Sequence, residues 1–197
     1  MIWLSIDATS SPSKITVKLQ PLWRDTDTYK SLIPPAKAIV QVVNPHHLII
    51  QLLERNQPDQ FQLLVPTQDT TFAESDFKVT VAQDLKKSFG ILIRRKSTNE
   101  VLIDTTRGPL VLSDHYVEMT TLLPSPYVYG LASDRQSSIK NNFNFEKTVL
   151  YNRKGAQRFH PFYMGLEPSS GYAHGVFWDN SYPLEVQFSP APAISFR

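Results

Sequence analysis

Cysteine is absent from this 197-residue sequence. Its absence excludes disulfide bonds, thiolate nucleophiles and thiolate metal ligands together. Glycine is also sparse, at seven residues. The sequence contains neither a glycine-rich phosphate loop nor a G-x-S-x-G nucleophile turn. Nucleotide binding and serine-type nucleophilic catalysis are therefore not expected.

The sequence also lacks an excess of charge of either sign. Twenty basic and 18 acidic residues give a net charge of +2, which argues against a nucleic-acid or anionic-membrane partner. No apolar run approaches the roughly 18 residues that a membrane span needs. The first residues have neither the basic stretch nor the apolar run of a secretory signal. Taken by itself, this pattern favours the cytoplasm.

Strand patterns follow one another along the chain with almost no helical periodicity. Ile15, Val17 and Leu19 alternate with polar residues, and Asn44-Pro45 separates two apolar runs at 38–43 and 47–53. Only 83–87 has the pattern of a helical turn, and the polar stretch 133–147 is expected to be a loop. Further strands are predicted at 61–65, 77–81, 89–93, 101–103, 110–112, 116–122, 162–166, 175–178 and 186–188. The sequence therefore predicts one all-β domain, a two-sheet antiparallel β-sandwich.

Two blocks of sequence carry a resemblance to a known family. The first begins with FGILIRRKSTNEVLID at residue 89 and extends to the YGL of 129–131; the second contains HPFYMGLE at 160–167, AHGVF at 173–177 and PAPAISFR up to Arg197. In this order the motifs resemble the end of the N-terminal β-sandwich of glycoside hydrolase family 31, the family of α-glucosidases. The first 88 residues match it only in the rhythm of their strands. The resemblance implies a galactose mutarotase-like sandwich over 1–197, without the catalytic (β/α)8 barrel.

The resemblance also implies a function. It predicts a non-catalytic accessory domain that packs on the catalytic barrel of a parent enzyme and offers a loop to the sugar pocket. The parent enzyme would act on α-linked glucosides, whereas this chain alone would be inactive. Because most members of the family are lysosomal, secreted or at the cell surface, the compartment stays open. The alternative is a stand-alone carbohydrate-binding or structural interaction module.

Two candidate substrate-binding residues follow from the same resemblance. Where the family has Asn-Arg-Asp on a loop that reaches the sugar pocket, this chain has Asn152-Arg153-Lys154. We expect Arg153 to organise the loop and Lys154 to face substrate or solvent. A charged lysine donates hydrogen bonds to a hydroxyl but cannot accept one, so the contact would differ from that of the family's aspartate.

No residue of this chain is assigned a catalytic role. Glycoside hydrolysis needs two carboxylates that flank the bond, and the family's pair belongs to the barrel. The carboxylates of this chain are predicted to lie at strand ends and in solvated turns, and so is the basic run 94–96. The five histidines have no metal-ligand spacing, so neither a metal nor a cofactor is expected. The carboxylates considered are Asp134, Glu146, Glu167, Asp179 and Glu185.

Aromatic residues are concentrated after residue 150. The simplest interpretation places most of them in the core of the sandwich. A second interpretation is a sugar-binding face, and a third, implied by the resemblance, is a band that packs on the barrel. An exposed apolar band would favour the barrel, and a groove with two coplanar rings would favour sugar. The set is Tyr151, Phe159, Phe162, Tyr163, Tyr172, Phe177, Trp178 and Tyr182.

Overall fold

A computed structural model describes part of the chain. The described residues are 3–11, 14–21, 36–54, 75–81, 89–108, 110–112, 116–131, 147–150, 161–179, 183–189 and 193–197. They form antiparallel β-strands and contain no helix. The all-β prediction is confirmed. No helix in these segments has the length and hydrophobicity needed to cross a bilayer.

The N-terminal part of the chain forms a four-stranded sheet with neighbours in sequence order. Its strands are β1 (Trp3–Ser11), β2 (Lys14–Pro21), β3 (Ala36–Asn44) and β4 (His47–Glu54). The β3–β4 turn lies at Pro45 and His46, as the Asn44-Pro45 signal predicts, and the Asn44 side chain accepts a hydrogen bond from the His46 amide. Such a short turn directs the two strands into an antiparallel pair.

An eight-stranded sheet forms the largest layer. Its order is β11-β14-β15-β9-β7-β6-β5, and β8 also pairs with β9. Its strands are β5 (Phe77–Val81), β6 (Ile91–Arg95), β7 (Val101–Asp104), β8 (Val111–Leu112), β9 (Val117–Leu122), β11 (Lys147–Leu150), β14 (Leu184–Ser189) and β15 (Ala193–Phe196).

A three-stranded sheet, in the order β10-β12-β13, completes the described strands. It consists of β10 (Val128–Gly130), β12 (Phe162–Leu166) and β13 (Ala173–Phe177). The β10 strand needs its terminal glycine, because Gly130 has φ +109° and a Cβ there would lie 2.5 Å from the Phe162 carbonyl oxygen. That close approach also brings the Leu131 amide within 2.8 Å of the same oxygen, to which it donates a hydrogen bond.

Two hydrophobic clusters hold the sheets together as a sandwich. In the first, Ala38 and Val40 of the four-stranded sheet pack on Ile91 and Ile93 of the eight-stranded sheet. In the second, residues of the three-stranded sheet pack on β14 and β15 of the eight-stranded sheet, through Val128, Tyr163, Val186 and Phe196 among others. The sandwich prediction is confirmed, with the second layer divided into two sheets. The galactose mutarotase-like label stays a prediction.

Some predicted features lie outside the described residues. These are the strand at 61–65, the helical turn at 83–87 and almost all of the loop at 133–147. The polar run after Pro66 is described only at Ser75, which is buried and hydrogen-bonded to the Phe77 amide.

Candidate functional site

The three-stranded sheet presents apolar side chains to solvent. Along β12, exposed and buried residues alternate, so Phe162 and Met164 point outward while Tyr163 points inward. Phe162 lies directly opposite Phe177 of β13, and Met164 lies opposite Gly175. Phe162, Met164 and Phe177 are 44%, 38% and 63% exposed. We call Phe162, Met164, Gly175 and Phe177 the outer apolar face.

A glycine shapes this face. A Cβ added at Gly175 would lie 2.6 Å from Cε2 of Phe162, so the Phe162 ring lies across the bare backbone of β13. A side chain at position 175 would displace the ring, because real Cβ contacts do not come so close. The glycine therefore leaves room for the Phe162 ring on this face.

The inner side of the same sheet contributes the buried Tyr163 to an aromatic cluster. The Tyr163 ring stacks on Phe196 with centroids 6.1 Å apart, and Trp178 stacks on the same ring at 4.0 Å. Burial raises the pKa of the Tyr163 hydroxyl. Neither the Tyr163 hydroxyl nor the Trp178 indole N–H has a hydrogen-bond partner.

A buried ion pair joins this sheet to the eight-stranded one. Arg95, at the end of β6, donates through Nε to Oε2 of Glu167 at 2.7 Å and through Nη2 to Oε1 at 2.5 Å. The Glu167 side chain is wholly buried and that of Arg95 is 14% exposed. The hydrogen bonds that Arg95 donates to Glu167 raise the pKa of Arg95. The prediction that both residues are solvated was wrong, because the turn after β12 folds back onto the end of β6.

The turn between β12 and β13 is fixed by a second carboxylate. Oε1 of Glu100 accepts the Ser169 amide at 2.9 Å, and Oε2 accepts the Ser170 hydroxyl at 3.1 Å. These hydrogen bonds, that of the Ser169 amide above all, hold the pKa of Glu100 below its ordinary value. The Arg95 guanidinium also lies 5.3 Å from the centroid of the Tyr172 ring, a distance that suits a cation–π contact. The β6–β7 hairpin thus holds the β12–β13 hairpin through charge-assisted hydrogen bonds.

His174 lies on the inner side of β13 and is nearly buried. Its residue pairs with Gly165 across the strands, and a Cβ at position 165 would lie 2.7 Å from the imidazole ring. Nδ1 of His174 is 3.7 Å from Oε1 of Glu167, too far for a hydrogen bond. Neither ring nitrogen of His174 has a hydrogen-bond partner. Burial lowers the pKa of His174, and nearby Glu167 opposes that shift only in part.

The two predicted substrate-binding residues, Arg153 and Lys154, lie outside the described residues. So do Asp134 and Glu146. Of the remaining carboxylates, Asp179 is exposed and Glu185 lies in a shallow polar groove with Glu118 and Arg197. Within the described segments, no group of three or more histidine, aspartate or glutamate side chains is placed to hold a metal ion.

The aromatic residues after position 150 divide between core and surface. Tyr163 is buried and Trp178 packs against the core, as the simplest interpretation predicts. Phe162, Tyr172 and Phe177 are exposed instead, and the other three of the set, Tyr151, Phe159 and Tyr182, lie outside the described residues. An uninterrupted apolar strand does not reveal which of its faces is covered, so the pattern itself does not separate Phe162 from Tyr163.

Comparison with known proteins finds sequence relatives, although no family model matches the sequence. The chain is 35% identical to bovine (Bos taurus) lysosomal alpha-glucosidase over 133 residues, which are 64% of this chain and 14% of that protein. It is 31% identical to human (Homo sapiens) intestinal sucrase-isomaltase over 153 residues, 72% of this chain and 8% of that protein.

A solved structure shares the fold. It is the GH31 dextranase FjDex31A of Flavobacterium johnsoniae, a D412A mutant in complex with isomaltotriose. The superposition has a TM-score of 0.57 at 14% sequence identity and covers 99% of this chain and 25% of the dextranase. The chain thus spans a small part of each protein that it matches. It is homologous to glycoside hydrolase family 31 enzymes, and it corresponds to a part of them that has the size of a domain.

Proposed function

We propose that this chain is a non-catalytic accessory domain of an α-glucosidase-like glycoside hydrolase and that its outer apolar face packs on the catalytic barrel. The observation that carries the proposal is the exposure of Phe162, Met164 and Phe177 on one face of a well-paired sheet. Neighbouring exposed apolar side chains of this size are typical of surfaces that another protein covers. The matched segments make up 14% and 8% of the two relatives. The proposal therefore takes its partner from the remaining part of such an enzyme.

The chemistry of the face favours a protein surface over a sugar. Phenylalanine and methionine are enriched in protein interfaces. Sugar recognition also needs hydrogen-bonding groups aimed at hydroxyls. The side chains of the outer apolar face provide only one weak acceptor, the sulfur of Met164. The direct carbohydrate-binding alternative therefore has less support on this face.

The support beneath the face fits a docking role. The Arg95–Glu167 pair and the hydrogen bonds of Glu100 fix the hairpin from below, so its outer residues are held in one arrangement before a partner binds. Such preorganisation lowers the entropic cost of association. We extend the proposal to the loop that contains Arg153 and Lys154, which would then form one wall of the sugar pocket, with Arg153 as its organiser.

Co-expression tests the docking. This chain, carrying an affinity tag, would be produced together with bovine lysosomal alpha-glucosidase from which the matching 133 residues have been removed. We expect the two polypeptides to co-purify. Phe177→Asp should abolish co-purification, because it places an unpaired charge in the proposed apolar interface.

Val117→Asp is the matched control. Val117 is 46% exposed, close to the 44% of Phe162, but it belongs to β9 of the eight-stranded sheet. Circular dichroism of both variants would establish that each is folded. Failure of the wild-type chain to co-purify, or equal loss in Phe177→Asp and Val117→Asp, would overturn the proposed docking face.

A further inference from the structure

We propose that His174 makes the outer apolar face sensitive to pH: when its ring takes up a proton, the β12–β13 hairpin loosens and the face loses its fixed shape. The consequence for binding rests on the function proposed above, since it concerns the same docking face. The loosening itself is a property of this chain alone.

The geometry joins the histidine to the face through one strand. His174 and Gly175 are consecutive on β13, so His174 points inward and Gly175 lies on the outer side. On the inner side, the His174 ring lies against Gly165 of β12. On the outer side, the Phe162 ring lies over Gly175. A movement that exposes the imidazole therefore disturbs the pairing on which the outer rings lie.

The site accommodates a neutral ring and provides little for a charged one. The His174 side chain is 6% exposed. Both ring nitrogens would be donors in the imidazolium form, and neither has a hydrogen-bond partner. Glu167 is the nearest charge, but the two hydrogen bonds of Arg95 already engage both of its oxygens. A carboxylate can accept further hydrogen bonds, but Oε1 of Glu167 lies 3.7 Å from Nδ1 of His174. The imidazolium would therefore be solvated mainly by water, which reaches the buried ring when the hairpin opens.

The charged and titratable neighbours come from several elements. Arg95 of β6 disfavours the imidazolium, whereas Glu167 and Glu100 favour it, and burial outweighs them so that the pKa of His174 is lowered. Tyr163 of β12 meets the ring edge-on at 6.5 Å and stays neutral because burial raises its pKa.

The sign of the pH effect follows from this direction. In the open hairpin His174 regains an ordinary pKa near 6.5, so the open state binds a proton more readily than the closed one. Closure is then fully favourable above about pH 6.5 and weakens as the pH falls, by about tenfold per pH unit, until the lowered pKa of the closed state is reached.

Amide hydrogen exchange measures this opening between pH 7.5 and 5.5, a range above the ordinary pKa of carboxylates. The reporters are the Glu167 amide, bonded to the Tyr172 carbonyl, and the Trp178 amide, bonded to that of Pro161. The reference is the Thr105 amide, bonded to the Ile91 carbonyl in the eight-stranded sheet. After correction for intrinsic exchange, we expect protection of the two reporters to fall up to about tenfold per pH unit below 6.5, and that of the reference to stay level.

Two variants and one direct titration complete the experiment. His174→Gln should make protection of the reporters independent of pH, and His47→Gln, at an exposed position on β4, should leave the wild-type dependence intact. Nitrogen-detected NMR of the wild-type imidazole should show a pKa below 6.5, whether or not His174→Gln folds. A pKa at or above that value, or a level profile in the wild type, would overturn the inference.

The two proposals fail separately. A pH-dependent hairpin in a chain that does not co-purify with the truncated bovine enzyme would refute the docking function alone. Co-purification with a hairpin whose protection does not change would refute the pH response alone.

Discussion

At one end of the sandwich, where β3 faces β6, the core is mostly aliphatic. At the other end, where β12 faces β15, aliphatic residues are joined by stacked aromatic rings and buried polar atoms, and we call this the aromatic end. The first cluster contains Ala38, Val40, Ile91 and Ile93. Aliphatic side chains such as these are buried without unmet hydrogen bonds. This end of the molecule has the composition of an ordinary stabilising core.

The aromatic end buries polar atoms that have no partner. All four such side-chain atoms found among the described residues lie on or next to β12 and β13: the Tyr163 hydroxyl, both His174 ring nitrogens and the Trp178 indole nitrogen. Each unmet polar group costs roughly 1–3 kcal/mol. The end that carries the outer apolar face therefore has more unmet hydrogen bonds than the other end. The Arg95–Glu167 ion pair and the hydrogen bonds that Glu100 accepts from Ser169 and Ser170, which we call the clamp, offset part of that cost.

The largest effect should come from breaking the clamp. Arg95→Ala leaves the Glu167 carboxylate buried without its partner, and we expect a loss of about 3–5 kcal/mol in the free energy of unfolding. Arg94→Ala removes only a hydrogen bond to the Asn99 carbonyl and should cost about 0.5–1.5 kcal/mol. Urea denaturation at pH 7.5 measures both variants.

A double variant separates the pairing from the packing. Arg95→Met combined with Glu167→Leu replaces the buried charges with apolar groups of similar volume, and it should recover most of the loss. An Arg95→Ala variant as stable as Arg94→Ala would contradict the view that the clamp supports the aromatic end.

The next effect has the opposite sign. Tyr163→Phe removes a buried hydroxyl that has no partner and keeps the ring on Phe196, so we expect a gain of about 1 kcal/mol in the free energy of unfolding. Tyr129→Phe, at a half-buried position on β10, should change it little. Thermal and urea unfolding would check the pair, and a clear loss in Tyr163→Phe would show that the hydroxyl is satisfied after all.

A smaller effect should come from Glu100, the outer half of the clamp. Its pKa is lowered by the Ser169 amide first, so its stabilising contribution is present above the ordinary pKa near 4.3 and is lost as the pH falls through the lowered value. Glu100→Gln should cost less than about 1 kcal/mol at pH 7, because solvent screens the group. The difference from wild type should vanish in acid, and a constant difference from pH 7 to pH 3 would exclude the carboxylate as its source.

The strands were accessible from the sequence because their signals are local. The predicted strands at 77–81 and 162–166 coincide with β5 and β12, and the Asn44-Pro45 signal lies at the β3–β4 turn. The apolar pattern did not predict β15 (Ala193–Phe196). Only the resemblance, through the PAP motif just before it, indicated a strand there. The apolar pattern also did not predict β1, which ends in ATSS and has little apolar character at that end.

The clamp and the outer apolar face were not accessible in the same way. Arg95 and Glu167 are 72 residues apart, and nothing in the local sequence of either predicts the other. The run Phe162-Tyr163-Met164 is apolar on both faces of its strand, so its pattern gives no indication of which side another sheet covers. Contacts of this kind depend on the tertiary arrangement, whereas Arg153 and Lys154 remain predictions.

The last prediction tests whether the outer apolar face binds sugar instead of protein. We expect no binding of sugar. Titration of this chain with maltose, followed by calorimetry and by tryptophan fluorescence, should give no signal up to millimolar sugar, because the face has rings but only one weak side-chain acceptor for hydroxyls, the sulfur of Met164. Incubation with maltose should likewise release no glucose. Phe177→Ala serves as the control for weak stacking. Micromolar binding that Phe177→Ala abolishes would identify the face as a carbohydrate-binding surface and would leave the catalytic barrel without its proposed contact.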